Sequence, residues 1–368
     1  MRKTHLVYVA VLILVLSVTP SGNEMPKDSW SLLRDMIGIH GVSGYEDMVA
    51  DYLQKMLPSG LNVRRDEMHN VWFTVGEGEP HLMFVAHSDE LGLVVTGITD
   101  GGRLTVEGKG GFFPQTYEGK AVVIRTGKGL VNGIVEPRKD YYQRQIQKMP
   151  SGFSGLLVYA GAQSAEEATK LGIRAGDSIT IQKVLVDLKD DLLCTRAVDD
   201  RAGCAALLAA ALSVDWKNIA GKTVTFAWDV QEETGLYGAR RLARSLHPDY
   251  VFPVDTFVSS DGPFDDKRFA QTPLGKGPVI RAIDSSNLAP SFEVNKIVHL
   301  AERRGIPYQL GNTKGGNDGS VFVAGGAVNI PLSWPGTYSH SFIEKINRFD
   351  LETLTGLLIA IVEEFSGR

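Results

Sequence analysis

Apolar residues recur at helical spacing over residues 29–39, where Trp30, Leu33 and Ile37 share a face. Gly38, Gly41 and Gly44 then interrupt the pattern. The spacing predicts a second helix ending near Leu57, with Ser43 as its cap and Glu46 three residues on. Two β-prone runs follow, 71–75 and 81–86, and the second is almost wholly apolar and ends in His87. Further along, an Ala-rich helix is expected over 200–212, a buried strand over 223–230 and a helix over 235–246. A strand over 251–255, a helix over 291–304, a strand over 327–334 and an amphipathic helix over 350–365 complete the chain. This alternation predicts an α/β fold, a mostly parallel sheet covered by helices on both faces.

Between residues 99 and 191 the pattern changes. Glycine is dense, and short β-prone pieces recur at 121–124, 156–159 and 178–184. One short helix is expected over 165–171, capped by Ser164. The segment reads as a small β-rich domain inserted into an α/β domain made of residues 26–98 and 192–368. The first 22 residues are different again. Arg2 and Lys3 precede an apolar run over 6–18, and Pro20, Ser21 and Gly22 break it. That is the length of a signal-peptide core and short for a membrane span, so the chain is expected to be exported, periplasmic or secreted. An uncleaved N-terminal anchor is the other reading. No stable span is expected once the signal is removed.

Hydrophobic residues make up 43% of the 368 positions and charged residues 22%, ordinary values for a globular protein. A formal net charge of −5, with Lys and Arg forming no stripe, argues against a nucleic-acid partner. The two cysteines, Cys194 and Cys204, are too few for a disulfide framework and lack C-x-x-C spacing, so they read as buried thiols rather than zinc ligands.

The chemistry lies in acids and histidines set in Gly-marked contexts at the ends of predicted strands. His87 and Asp89 form H-x-D in AHSDELG, where the histidine can bind a metal and the carboxylate can orient it. Asp199 and Asp200 begin a helix. One is enough for capping, and Asp199 is assigned to bridge two cations. Glu232 and Glu233 leave a buried strand in different directions, so one can ligate a metal while the other faces an attacking water. Their closeness is unfavourable unless cations compensate it. Asp255 ends the run FPVD and competes with Asp261 as a ligand. His340 follows a strand and the breaker Pro335–Gly336, while His299 reads as a surface residue. Two imidazoles and several carboxylates make an O/N set suited to two zinc-class ions, with one acid left for catalysis.

At these residues the chain closely resembles the tetrahedral (TET) aminopeptidases of the glutamyl and deblocking type. The resemblance is carried by HGVSGYE (40–46), AHSDELG (86–92), VDDRAGC (198–204), QEETGLYGAR (231–240), LGKGPVI (274–280), GGNDGS (315–320) and YSHS (338–341), in family order. The chain departs from the family at EPRKDYYQRQI (136–146). The resemblance implies that His87 and Asp255 ligate one metal, Glu233 and His340 the other, and Asp199 both. It makes Glu232 the general base, Asp89 the support of His87, and prefers Asp255 to Asp261. It further implies short peptides as substrates and a homo-oligomer built from dimers through the inserted domain. The two divalent ions are zinc by family, with cobalt or manganese equally compatible with the ligands. The expected activity is removal of N-terminal residues. An N-acyl amino acid deacylase or carboxypeptidase with the same site, a non-catalytic metal-stabilised binding protein, and a glycan hydrolase are the alternatives.

Overall fold

The structure is a computed structural model that describes residues 28–137, 152–260, 262 and 271–367. The expected export segment, Asp261 and most of the 136–146 segment lie outside the described residues. Two β structures organise the chain: a twelve-stranded mixed sheet and a closed six-stranded barrel.

The centre of the large sheet is four parallel strands in the order Thr223–Asp229, His81–His87, Tyr250–Val258 and Leu332–Thr337. These are the most apolar runs of the sequence, and they are buried nearly throughout, as strands covered on both faces must be. Antiparallel strands extend the sheet on either side, Val71–Gly76 beyond Thr223–Asp229 and Glu344–Asn347 beyond Leu332–Thr337. The expected α/β architecture holds, with a parallel centre, antiparallel neighbours on both sides, and a further parallel pair, Val279–Ile283 with Gln309–Asn312, off the main run.

One face is covered by the Ala-rich helix Val198–Ser213, packed with the helices Ser29–Ile37 and Arg348–Glu364. Its alanines let it lie close to the sheet, and all residues from Val198 to Ala211 are buried. Phe84 stacks on Phe252 at 5.1 Å and meets Phe226 at 5.0 Å, which fixes the strand register by packing. The other face carries a smaller core around Met83, Val85, Ala239 and Leu242.

The barrel strands, in order around it, are Gly92–Ile98, Leu104–Lys109, Leu157–Tyr159, Gly129–Val135, Ala121–Thr126 and Ser178–Ile181. Alternate residues point inward, as Val122, Ile124 and Thr126 show, onto a core with Leu93, Val106, Val158 and Ile179. The first barrel strand thus lies before residue 99. The helix at Ala165–Lys170 is present, with Ser164 accepting from the Glu167 amide at 3.2 Å.

Several elements differ from expectation. Helix 235–246 shortens to Tyr237–Leu242, because Leu236 is left-handed (φ +57) and the chain turns there. The strand expected over 327–334 divides into Val328–Asn329 and Leu332–Thr337 around Pro331, which has no amide hydrogen to donate. The second helix starts only at Asp47, and neither Ser43 nor Glu46 caps it. Both side chains face the sheet's C-terminal edge instead.

Candidate metal centre

The strands Thr223–Asp229 and His81–His87 end together, while Tyr250–Val258 and Leu332–Thr337 run on past Asp255 and Ser333. Asp229 lies in register with His87, and Asp255 with Ser333 on the other side. Open α/β sheets place ligands beyond such carboxyl ends. His87 is buried, with Nδ1 3.4 Å from Asp89 Oδ1. Its Nε2 faces the cleft, 3.4 Å from Asp199 Oδ1 and 3.9 Å from Asp255 Oδ1. The imidazole therefore offers Nε2 to a cation, while the Asp89 carboxylate stands beside Nδ1.

Asp199 and Asp200 divide the work that two adjacent acids at a helix start can do. Asp200 Oδ1 accepts from the Gly203 amide at 2.9 Å, the bond of an N-cap, and from Trp334 Nε1 at 2.9 Å. Asp199 precedes the regular helix, with non-helical φ −79 and ψ 108, and its side chain turns to the cleft. Ser339 Oγ donates to Asp199 Oδ2 at 2.8 Å, and Asp199 Oδ1 is buried with no hydrogen-bond partner among the described residues. Glu344 holds this loop from behind. It accepts from the amides of Val198 (2.7 Å) and Asp199 (3.1 Å) and pairs with buried Arg196 at 2.7 Å.

Glu232 and Glu233 sit on a tight turn after the Thr223–Asp229 strand. Gly238 must be glycine there, since a Cβ would lie 2.4 Å from the Val230 carbonyl oxygen. The Asp89 carboxylate holds the turn by accepting from the amides of Glu232 (3.0 Å) and Glu233 (3.3 Å). Asp89 thus orients the histidine and the two glutamates together. Glu233 Oε2 stands 3.5 Å from His340 Nε2, which is also 3.7 Å from Asp199 Oδ2. The other ring nitrogen of His340, Nδ1, lies 2.7 Å from the Gly111 carbonyl oxygen, an acceptor that fixes Nε2 as the free lone pair. The loop that follows the barrel strand Leu104–Lys109 therefore helps to build the site. Within it, Gly110 (φ +86) passes so close that a Cβ would meet Leu91 at 2.0 Å and the Glu233 Cβ at 3.2 Å.

Two three-residue ligand sets result, His87–Asp199–Asp255 and Asp199–Glu233–His340, and each set's ligand atoms lie within 4.8 Å of one another. Asp199 belongs to both. Glu232 lines the same cleft of about 210 Å³, with Thr256, Arg281, Lys314 and Ser339. Burial pushes Glu233 well above the usual carboxylate range, and the neighbouring Asp199 and Asp89 add to it. Glu232 is raised in the same direction by burial and by the charges of Asp318, Glu233 and Asp255, with His87 opposing. Burial also lifts Asp255 to about 6, against the pull of Arg281. His87 is raised too, from a different balance: burial disfavours its charge, but Asp199 and Asp89 outweigh burial. Carboxylates this crowded, two of them with a buried unpartnered oxygen (Asp199 Oδ1, Glu233 Oε1), fit divalent cations.

All seven residues singled out from the sequence converge here. His299 lies on a helix surface with its side chain 69% exposed. Cys194 and Cys204 are both buried free thiols. Sequence reading missed Arg281, which brings Nη2 to 3.8 Å from Asp255 Oδ2, and the Arg196–Glu344 pair behind Asp199. It also missed Asp229 and Asp318, a buried carboxyl pair beside Glu232. The strand-end position of Asp229 and the acid in GGND were the available signals.

The same arrangement is tied to known proteins by similarity. The profile of the M42 glutamyl aminopeptidase family matches residues 70–357. The TET1 peptidase of Pyrococcus horikoshii, which can assemble into a tetrahedron or a large octahedral shell, is 34% identical. It superposes with a TM-score of 0.84 over 91% of this chain and 99% of that one. An aminopeptidase of the archaeon Desulfurococcus kamchatkensis is 31% identical, with a TM-score of 0.85 over 92% and 95% of the two chains. The lysyl aminopeptidase of Pyrococcus furiosus is 29% identical over 91% of this chain and 97% of its own length. With the fold, the ligand-bearing cleft and these relatives in agreement, the chain belongs to the M42 family of metal-dependent aminopeptidases and is a peptidase.

Proposed function

We propose that this protein is a two-metal exo-aminopeptidase that removes N-terminal residues from short peptides, with Glu232 as general base. The observation that carries the reading is the pair of ligand sets sharing Asp199, with an acid outside both sets lining the same cleft. His87 and Asp255 would hold one cation, and Glu233 and His340 the other. When bound, such ions acidify a water and polarise the scissile carbonyl. Glu232 takes the water proton and returns it to the leaving amine. Asp89 keeps the His87 ring and the Glu232–Glu233 turn fixed throughout. A cleft of about 210 Å³ suits one terminal residue rather than the middle of a chain.

The reading extends to the whole molecule. The chain would act as a homo-oligomer built from dimers, with the inserted domain that forms the barrel, from Gly92–Ile98 to Ser178–Ile181, as the assembly domain. It would be exported by residues 1–22, and its native ion would be zinc, with cobalt or manganese as substitutes.

A panel of aminoacyl-p-nitroanilides beside N-acetylated amino acids tests the activity. Release confined to the free-amine substrates, and lost on chelation, is the expected result. Hydrolysis of the N-acetylated set alone would make the protein a deacylase. Bound metal with neither release would leave a binding protein.

A further inference from the structure

Ser43 and Glu46, whose spacing predicts a capping box, have other partners. The carboxyl of Glu46 is buried, and it makes no bond to the helix that follows. Its Oε1 accepts from the Gly44 amide at 2.7 Å and, across the fold, from the Gln231 amide at 3.1 Å. Gln231 is left-handed, with φ +56, a conformation that residues with a side chain rarely adopt. The next two amides, of Glu232 and Glu233, end on Asp89. Three consecutive amides of the turn are thus taken by two carboxyl groups from outside it.

The segment bearing Glu46 is itself fixed. The Ser43 amide donates to the Glu90 carbonyl at 3.1 Å, and the Glu90 amide to the Gly41 carbonyl at 2.9 Å. The Ser43 hydroxyl donates to Asp89 Oδ2. Residues 41–46 and 89–90 form one frame, and Glu46 is the part of it that reaches the residue before the two glutamates.

We propose that Glu46 is a positioning residue for the catalytic turn: by holding the Gln231 amide, it sets the direction in which Glu232 and Glu233 leave the Thr223–Asp229 strand. The proposal rests on the reading of Glu232 as base. Burial, with Asp89 nearby, lifts the Glu46 carboxyl to about 8. A glutamine, which keeps an acceptor oxygen at the same reach, replaces it. An aspartate, one methylene shorter, falls short.

The test compares E46A, E46Q and E46D with the full-length wild type. Three quantities are read: kcat and KM on the best free-amine substrate, metal content, and amide hydrogen exchange of residues 230–236 in the chelated protein. E46A is expected to lose about a hundredfold in kcat with KM nearly unchanged. Its metal content stays at the wild-type value, while exchange at 231–233 accelerates about tenfold. E46Q restores both kcat and slow exchange, and E46D does not. The proposal is overturned if E46A keeps kcat within about twofold of wild type, or if E46D outperforms E46Q. Should E46A fail to fold, the order of E46Q and E46D decides. If the wild type releases no substrate, the aminopeptidase reading fails, and the exchange rates still judge Glu46.

Discussion

Asp199 and Asp200 are neighbours with the same chemistry and opposite tasks. Asp200 is spent on the Gly203 amide and Trp334, which leaves Asp199 for the cleft. A similar division holds for Glu232 and Glu233, where only Glu233 lies within reach of His340. E232Q should therefore cut turnover by about a hundredfold or more, with metal content nearly unchanged. Substantial turnover by that variant, measured beside its metal content, would remove Glu232 as base. His40 offers a test of electrostatics away from the cations. Burial depresses it to about 4 from the ordinary 6.5, and its Nε2 meets Ser178 Oγ at 2.8 Å. The unfolded chain takes up a proton between those values that the folded chain refuses. His40's contribution is thus fully present above pH 6.5 and lost as pH falls to 4, to a total of about 3 kcal/mol. In chelated protein, urea unfolding at several pH values should show a shallower acid limb for H40Q than for wild type. Identical limbs would remove His40 from the account.

At the scale of elements, strand ends and tight turns deliver the site. His87, Asp199, Glu233 and Asp255 were legible because each acid or histidine closes a strongly apolar run or opens a helix. Less legible was what holds them. Ser43 and Glu46 have the spacing of a helix cap, but buried partners across the fold compete for them and win, a tertiary effect that no local pattern encodes. Arg281 was invisible for the same reason, since its strand Val279–Ile283 is short and takes its place only through its partners Gln309–Asn312 and Leu332–Thr337. The loop at Gly110 and Gly111 is the least obvious contributor, because glycines carry no chemistry of their own. G110A should displace the Glu233 side chain and lower both metal affinity and turnover, since φ +86 and the Leu91 contact leave no room for a methyl. Isothermal titration of the chelated variant checks this, and wild-type affinity would show that the loop adapts.

Across the whole molecule, the barrel and the α/β sheet are joined beside the site. The Lys183 ammonium meets Glu90 at 2.6 Å, with side chains 4% and 0% exposed, and Arg201 stands 3.8 Å from the same carboxylate. Removing one partner leaves a buried charge, so K183M should destabilise the protein by about 3 kcal/mol. A melting temperature equal to wild type would deny the joint that role. The α/β architecture was readable from strand–helix alternation. The closed barrel was not, because short Gly-rich strands reveal their pairing only in space. Among the described residues no helix is long and apolar enough to cross a membrane.

The central claim is that Asp199 is shared by two cations that work together. The most direct measurement is zinc titration of the chelated wild-type protein, following release from a free-amine substrate. The account predicts that activity saturates at about two equivalents per chain, as expected of a shared two-ion site. Saturation at a single equivalent, or full release with no added metal, would contradict it.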